Sequence, residues 1–136
     1  MATRRSLSDD ELSPLAREVF DDIRATRGTD YVNNFWRALA HDPETLRLTW
    51  DRLKKVMGPG ALDPLTKEML YIAVSAANGC EYCCHSHTAA ARGKGMSDEM
   101  HNELLSVIGM AMQTNGMVSA LQVEVDDAFR VEDREA

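Results

Sequence analysis

The chain has 136 residues, of which 44% are hydrophobic and 27% charged, and its formal net charge is −7. That length fits a single domain, residues 1–136, with enough chain to bury a core. The acidic balance and the lack of a basic cluster argue against nucleic acid as a partner, and no stretch reads as the roughly 20 apolar residues that span a bilayer, so no membrane partner is expected.

Arg4-Arg5 is followed by polar Ser6 to Glu11, where a twin-arginine leader requires an apolar run. The expectation is a cytoplasmic chain, in which a disulfide is transient and catalytic rather than structural. Eight methionines offer adaptable apolar packing, read first as core filling and second as subunit contact.

Taken in order, the elements read as helices throughout. Ser13-Pro14, Asp42-Pro43 and Asp63-Pro64 each place a good N-cap before a proline at the first helical position, where the missing N–H has no intrahelical partner anyway. Leu15, Val19 and Ile23 mark a first helix, with Ser8 to Leu12 as an earlier possible start. Val32, Phe35, Trp36 and Leu39 mark a second, and Leu46, Trp50, Leu53 and Met57 a third. The aromatic group Phe35, Trp36 and Trp50 is read as core packing rather than a ligand pocket. Gly58-Pro59-Gly60 is a stiff turn. Leu65, Met69, Ile72 and Ala76 mark a fourth helix, ending at Asn78-Gly79, and a fifth runs from about Cys80 to Arg92. Ser97 caps a sixth carrying Leu104, Leu105, Ile108 and Met112, with a stop expected at Asn115-Gly116. Val118, Leu121, Val125 and Phe129 mark a last one, and the charged tail from Arg130 to Ala136 is expected to fray. The fold class is all-α, with six to seven helices.

Chemistry concentrates in Cys80-Glu81-Tyr82-Cys83 and in His87, four residues further on. With Cys80 in the first turn of the fifth helix, Cys80, Cys83, Cys84 and His87 fall on one face. Residues three apart on a helix have Cα atoms roughly 5 Å apart, within the reach of a disulfide. The helix N-terminus favours a thiolate at Cys80, while His87 is one turn from Cys83 and serves it as a base. These two activators leave open which sulfur attacks a substrate. Counting about 1.5 Å per residue on either side of the Asn78-Gly79 turn puts Glu68 level with His87, where a carboxylate can orient the ring. The competing reading of Glu68 is a rim carboxylate paired with Arg92 or Lys94.

Metal binding is disfavoured, because ligands spread along one helix face span about 10 Å and cannot converge on a tetrahedral ion. A zinc site would need distant help from His101 or His41. No cofactor is expected. Cys84 reads as a small buried apolar residue, Tyr82 and His85 as pointing off the main face, His41 as a solvated neighbour of a cap, and His101 as an exposed helical position.

The run Asn78-Gly79-Cys80-Glu81-Tyr82-Cys83-Cys84-His85-Ser86-His87, continuing through Ala91-Arg92-Gly93 to Met96-Ser97, resembles the signature of the AhpD-like alkylhydroperoxidases of the carboxymuconolactone decarboxylase superfamily. Glu68, ahead of Cys80, matches that family's acidic position, and the likeness is specific from Asp63 to Leu105. The resemblance implies an AhpD-like helical bundle with a redox Cys-x-x-C at a helix N-terminus, assembled as a homo-oligomer, a trimer or a hexamer. It implies reduction of hydrogen peroxide or organic hydroperoxides through a Glu–His–Cys relay. Glu68 and His87 then form the relay, Cys83 meets the peroxide, and Cys80 resolves the sulfenic acid into a Cys80–Cys83 disulfide that a dithiol or protein reductant reopens. The histidine sometimes found between the two cysteines is replaced here by Tyr82. Decarboxylation is not expected, since true carboxymuconolactone decarboxylases generally lack the cysteine pair. The rival readings are a general thiol–disulfide oxidoreductase and a redox-sensing helical oligomer without peroxidase turnover.

Overall fold

A computed structural model of the protein describes residues 1–130. Among the described residues all regular structure is helical: α1 (Pro14–Arg27), α2 (Asn34–Leu39), α3 (Pro43–Met57), α4 (Pro64–Ala77), α5 (Glu81–Gly93) and α6 (Asp98–Leu121), with 3-10 turns at Asp9–Glu11 and Asp127–Phe129. Most of the tail expected to fray, residues 131–136, lies outside the described residues.

Local chemistry sets the helix starts. The Ser13 hydroxyl accepts from the Ala16 N–H at 3.2 Å, the Asp42 carboxylate from Thr45 at 3.1 Å and the Asp63 carboxylate from Thr66 at 3.0 Å. Each bond satisfies a donor the helix itself leaves open and contributes about 1 kcal/mol. The segment expected as an early start of α1 is instead a 3-10 turn closed by a Ser8/Glu11 capping box. Gly28 ends α1 in the left-handed conformation, φ 64°. Gly58 ends α3 differently, with φ −70°. Its missing side chain matters for another reason, because a Cβ there would lie 2.9 Å from the Lys54 carbonyl oxygen.

The chain forms two compact units, the first being Met1–Gly60 and the second beginning at Ala61. In the first, the periodic residues of α1 (Ala16, Val19, Phe20, Ile23) share one buried cluster with Trp36, Leu46 and Trp50, to which Val32 and Ala40 also belong. Trp36 and Trp50 meet edge to face with ring centroids 5.3 Å apart, so both are core residues, whereas Phe35 stays 43% exposed. Polar ties surround this core. Asp9 bridges Arg24 at 2.6 Å and Arg37 at 2.9 Å, and Asp22 accepts from the Trp50 indole N–H at 2.6 Å. His41, expected to be solvated, is half-buried, and its Nε2 lies 2.8 Å from the Arg5 carbonyl oxygen.

In the second unit α4 and α5 form a hairpin through Asn78-Gly79, with Gly79 at φ 67° and the Cys80 N–H returning to the Ser75 carbonyl at 2.9 Å. Ile72, Ala91 and Met96 are its buried centre, flanked by Leu65, Met69, Met100, Leu104 and Ile108. The stop expected at Asn115-Gly116 does not occur. Helix α6 runs through it to Leu121 and ends where Gln122 turns left-handed, φ 49°, so the expected separate last helix is its continuation, with Val125 and Phe129 beyond its end. No residue of α6 is buried, and Leu105, Met110, Met112, Met117, Val118 and Leu121 are all exposed. By length and composition α6 is apolar enough to cross a membrane, contrary to the sequence reading. Interspersed Ser106, Gln113, Thr114, Asn115 and Ser119 break up the apolar run without adding charge.

Truncating the buried Ile23 to alanine is expected to cost about 2–5 kcal/mol, seen as a lower urea midpoint. Leu48→Ala, at a position 71% exposed, should stay within about 0.5 kcal/mol of the wild type. Equal midpoints for the two variants would refute the core described for the first unit.

Candidate active site

Helix α5 begins one residue later than the sequence suggests. Cys80 is its N-cap rather than a member of its first turn, and its sulfur accepts the Cys83 N–H at 3.3 Å. This placement follows from the turn before it: left-handed Gly79 redirects the chain, and Cys80 takes the extended conformation usual for a cap. Cys80 and Cys83 are joined as a disulfide with Cα atoms 5.3 Å apart. Both are half-buried. Cys84, expected to be buried, is half-buried and free.

His87 lies one turn past Cys83 on α5. Its Nδ1 is 2.7 Å from Oε2 of Glu68 on α4. The level placement counted from the sequence therefore holds, and it holds because two regular helices leave a tight turn in opposite directions. The competing reading of Glu68 is also met, since its Oε1 accepts from Lys94 Nζ at 3.0 Å. Arg92, the other rim candidate, faces Asp98 at 3.4 Å. Glu68 thus uses both oxygens.

The electrostatics of Glu68 are a contest. With only 4% of its surface exposed, burial is the largest influence and pushes its carboxyl upward. Hydrogen bonds from His87 and Lys94, then their charges, act the other way and prevail, so the group lies below the ordinary glutamate value. A carboxylate buried without such donors would not stay ionised.

One contributor was missed in the sequence. Tyr71 stacks on the imidazole of His87 with centroids 3.6 Å apart and planes 21° from parallel. It is three residues after Glu68, so α4 grips the ring by its edge through Glu68 and by its face through Tyr71. That i, i+3 relation to an acidic relay candidate was the available signal. Tyr82 and His85 are exposed, as their helical positions predict, while His101 is half-buried on α6. Among the described residues no group of three His, Cys, Asp or Glu side chains could hold a metal ion.

Such a site can exchange two electrons at the sulfur pair and move one proton along a carboxylate–imidazole couple. The sequence profile described as the Carboxymuconolactone decarboxylase family matches residues 43–124. Alkyl hydroperoxide reductase AhpD of Solibacter usitatus (strain Ellin6076) is 29% identical over 126 residues, covering 90% of this chain and 70% of that protein. The protein of the same name from Frankia alni (strain DSM 45986 / CECT 9034 / ACN14a) is 28% identical over 120 residues, 85% of this chain and 64% of its own length. The chain therefore spans about two thirds of these curated relatives. The crystal structure of the alkylhydroperoxidase AhpD core from Rhodospirillum rubrum ATCC 11170 is 61% identical and aligns with a TM-score of 0.93 over 97% of this chain and 99% of that one.

The depressed Glu68 carboxyl has a consequence for acid stability. Its contribution is present above the ordinary value of 4.5 and is lost as the pH falls through the lower folded value. Thermal midpoints of the wild type should accordingly drop more steeply below pH 4.5 than those of Glu68→Gln. Parallel curves for the two proteins would contradict the arrangement.

Proposed function

The chain belongs to the carboxymuconolactone decarboxylase family as an AhpD-like member, and on that premise we propose that it is a thiol-dependent peroxidase reducing hydrogen peroxide or organic hydroperoxides. The observation that carries the reading is the 2.7 Å contact between Glu68 and His87, one helical turn from a cysteine that is paired with Cys80.

The cycle starts from the reduced dithiol. Glu68 holds Nδ1–H of His87, which leaves Nε2 to take the proton of the Cys83 thiol. The thiolate attacks the distal oxygen of the hydroperoxide, the O–O bond breaks, and the alcohol leaves with the proton that His87 carried. Cys83 is now a sulfenic acid. Cys80 attacks its sulfur, expelling water and closing the disulfide. An external dithiol reopens it by exchange and is itself oxidised, so each turn consumes one hydroperoxide and one dithiol. Tyr71, stacked on the imidazole, keeps the ring in plane for the transfer.

The active form in this reading is a homo-oligomer in the cytoplasm. Support for assembly comes from α6: residues 104–123 carry no Asp, Glu, Lys or Arg, and Leu105, Met110, Met112, Met117, Val118 and Leu121 are exposed among the described residues. An uncharged face of that size is suited to burial against its own copy.

With dithiothreitol as donor, wild type should consume cumene hydroperoxide over many turnovers, Cys83→Ser should be inactive, and His87→Ala should lose about a hundredfold or more. Equal rates in all three would remove the peroxidase reading, and faster turnover of a small disulfide than of hydroperoxide would replace it with general thiol–disulfide exchange. Light scattering is expected to give a multiple of the monomer mass, reduced by Met117→Glu; a monomer in the wild type would refute assembly through α6.

A further inference from the structure

Lys94 is held at the end of α5 by its own backbone. It follows α5 as the C-cap, where its own N–H donates to the carbonyls of Ala90 at 3.1 Å and Ala91 at 3.0 Å. Gly95 then turns left-handed, φ 99°, and the Met96 N–H comes back to the Ala91 carbonyl at 3.0 Å. Ala91 is fully buried and Met96 is 6% exposed, so the turn that carries Lys94 is tied into the core of its unit. From this fixed base the ammonium reaches Glu68 Oε1 at 3.0 Å, on the oxygen that His87 does not use.

The two partners of Glu68 differ in exposure. The Lys94 side chain keeps 40% of its surface, whereas those of Glu68 and His87 keep 6% and 18%. The ammonium is thus partly hydrated while it compensates a carboxylate that is not. This matters because a buried carboxylate whose one charged neighbour was an imidazole would favour imidazolium, which cannot accept a proton. The side chains that donate to Glu68 are His87 and Lys94. Helix α6 turns Met100, Leu104 and Ile108 to this core, and its His101 is not among the groups that influence Glu68. Arg92 is directed at Asp98.

We infer that Lys94 is a positioning residue of the relay: it supplies the counter-charge to Glu68, so that the carboxylate fixes the orientation of His87 while the ring stays a neutral base for the Cys83 thiol. Lys94 acts through Glu68 and touches no reacting atom. The inference rests on the peroxidase reading above for its catalytic meaning, but its electrostatic content stands on the pair of contacts at Glu68.

The test compares wild type, Lys94→Met, Lys94→Gln and Lys94→Arg in two measurements. The first is the pH profile of cumene hydroperoxide consumption with dithiothreitol; the second is the titration of the His87 ring nitrogens by NMR. In Lys94→Met and Lys94→Gln the acid limb and the His87 titration should both move up by about one pH unit, giving about tenfold slower turnover on the acid side, with the alkaline plateau kept. Lys94→Arg should restore both towards the wild type. A Lys94→Met or Lys94→Gln protein that folds and keeps the wild-type His87 titration overturns the inference, whatever its rate. If wild type consumes no hydroperoxide, the peroxidase reading fails, and the NMR titration alone then decides the role of Lys94.

Discussion

A carboxylate that keeps only 4% of its surface must find its donors inside the protein, and Glu68 is such a group. Leaving it unpaired would cost several kcal/mol or force it to take up a proton. Much of the second unit can be understood as meeting that demand. The α4–α5 hairpin brings His87 to one oxygen, and the tight turn after α5 brings Lys94 to the other. Helix α6 seals the apolar side of the same core with Met100, Leu104 and Ile108. Buried charge of this kind seldom adds net stability, since desolvation cancels most of the attraction. What the arrangement does fix is the orientation of His87, whose Nδ1 is held 2.7 Å from Glu68 Oε2.

The first unit obeys a simpler constraint. Two tryptophans and the periodic face of α1 exclude water, and carboxylates at Asp9 and Asp22 tie the surrounding cations and one indole N–H. Those carboxyls lie below their ordinary range because their hydrogen bonds to Arg24 and Arg37, and to Lys54 and Trp50, outweigh the cost of burial. The contacts are close to solvent, so each adds modestly, and the apolar core carries the stability.

The sequence was most legible where the physics is local. Ser13, Asp42 and Asp63 announce helix starts because a cap is a contact across three residues. Glu68 and His87 can be paired from the sequence because regular helices convert residue count into distance. The failures came where a residue type permits a conformation without requiring it. The Asn115-Gly116 pair permits a stop, yet positive φ among the described glycines occurs at Gly28, Gly79 and Gly95, and α6 continues past Asn115. His41 finds the Arg5 carbonyl across 36 residues, a closure that no short window reveals. Tyr71 escapes a sequence reading because a stacked ring leaves no polar mark there, whereas Lys94 is named by it, as a rival of His87 for a carboxylate that has room for both.

The position of Cys80 gives one sulfur two structural duties. The sulfur paired with Cys83 is also the atom that anchors the first turn of α5, through the Cys83 N–H. Sulfur accepts this bond weakly when it is a thiol or bridged to Cys83, and more strongly as a thiolate. The cap is thus of a kind that sulfur can accept as a thiol, a thiolate or a bridged atom. An anchor that tolerates a change in its own chemistry thereby sits in a single atom at the mouth of the helix.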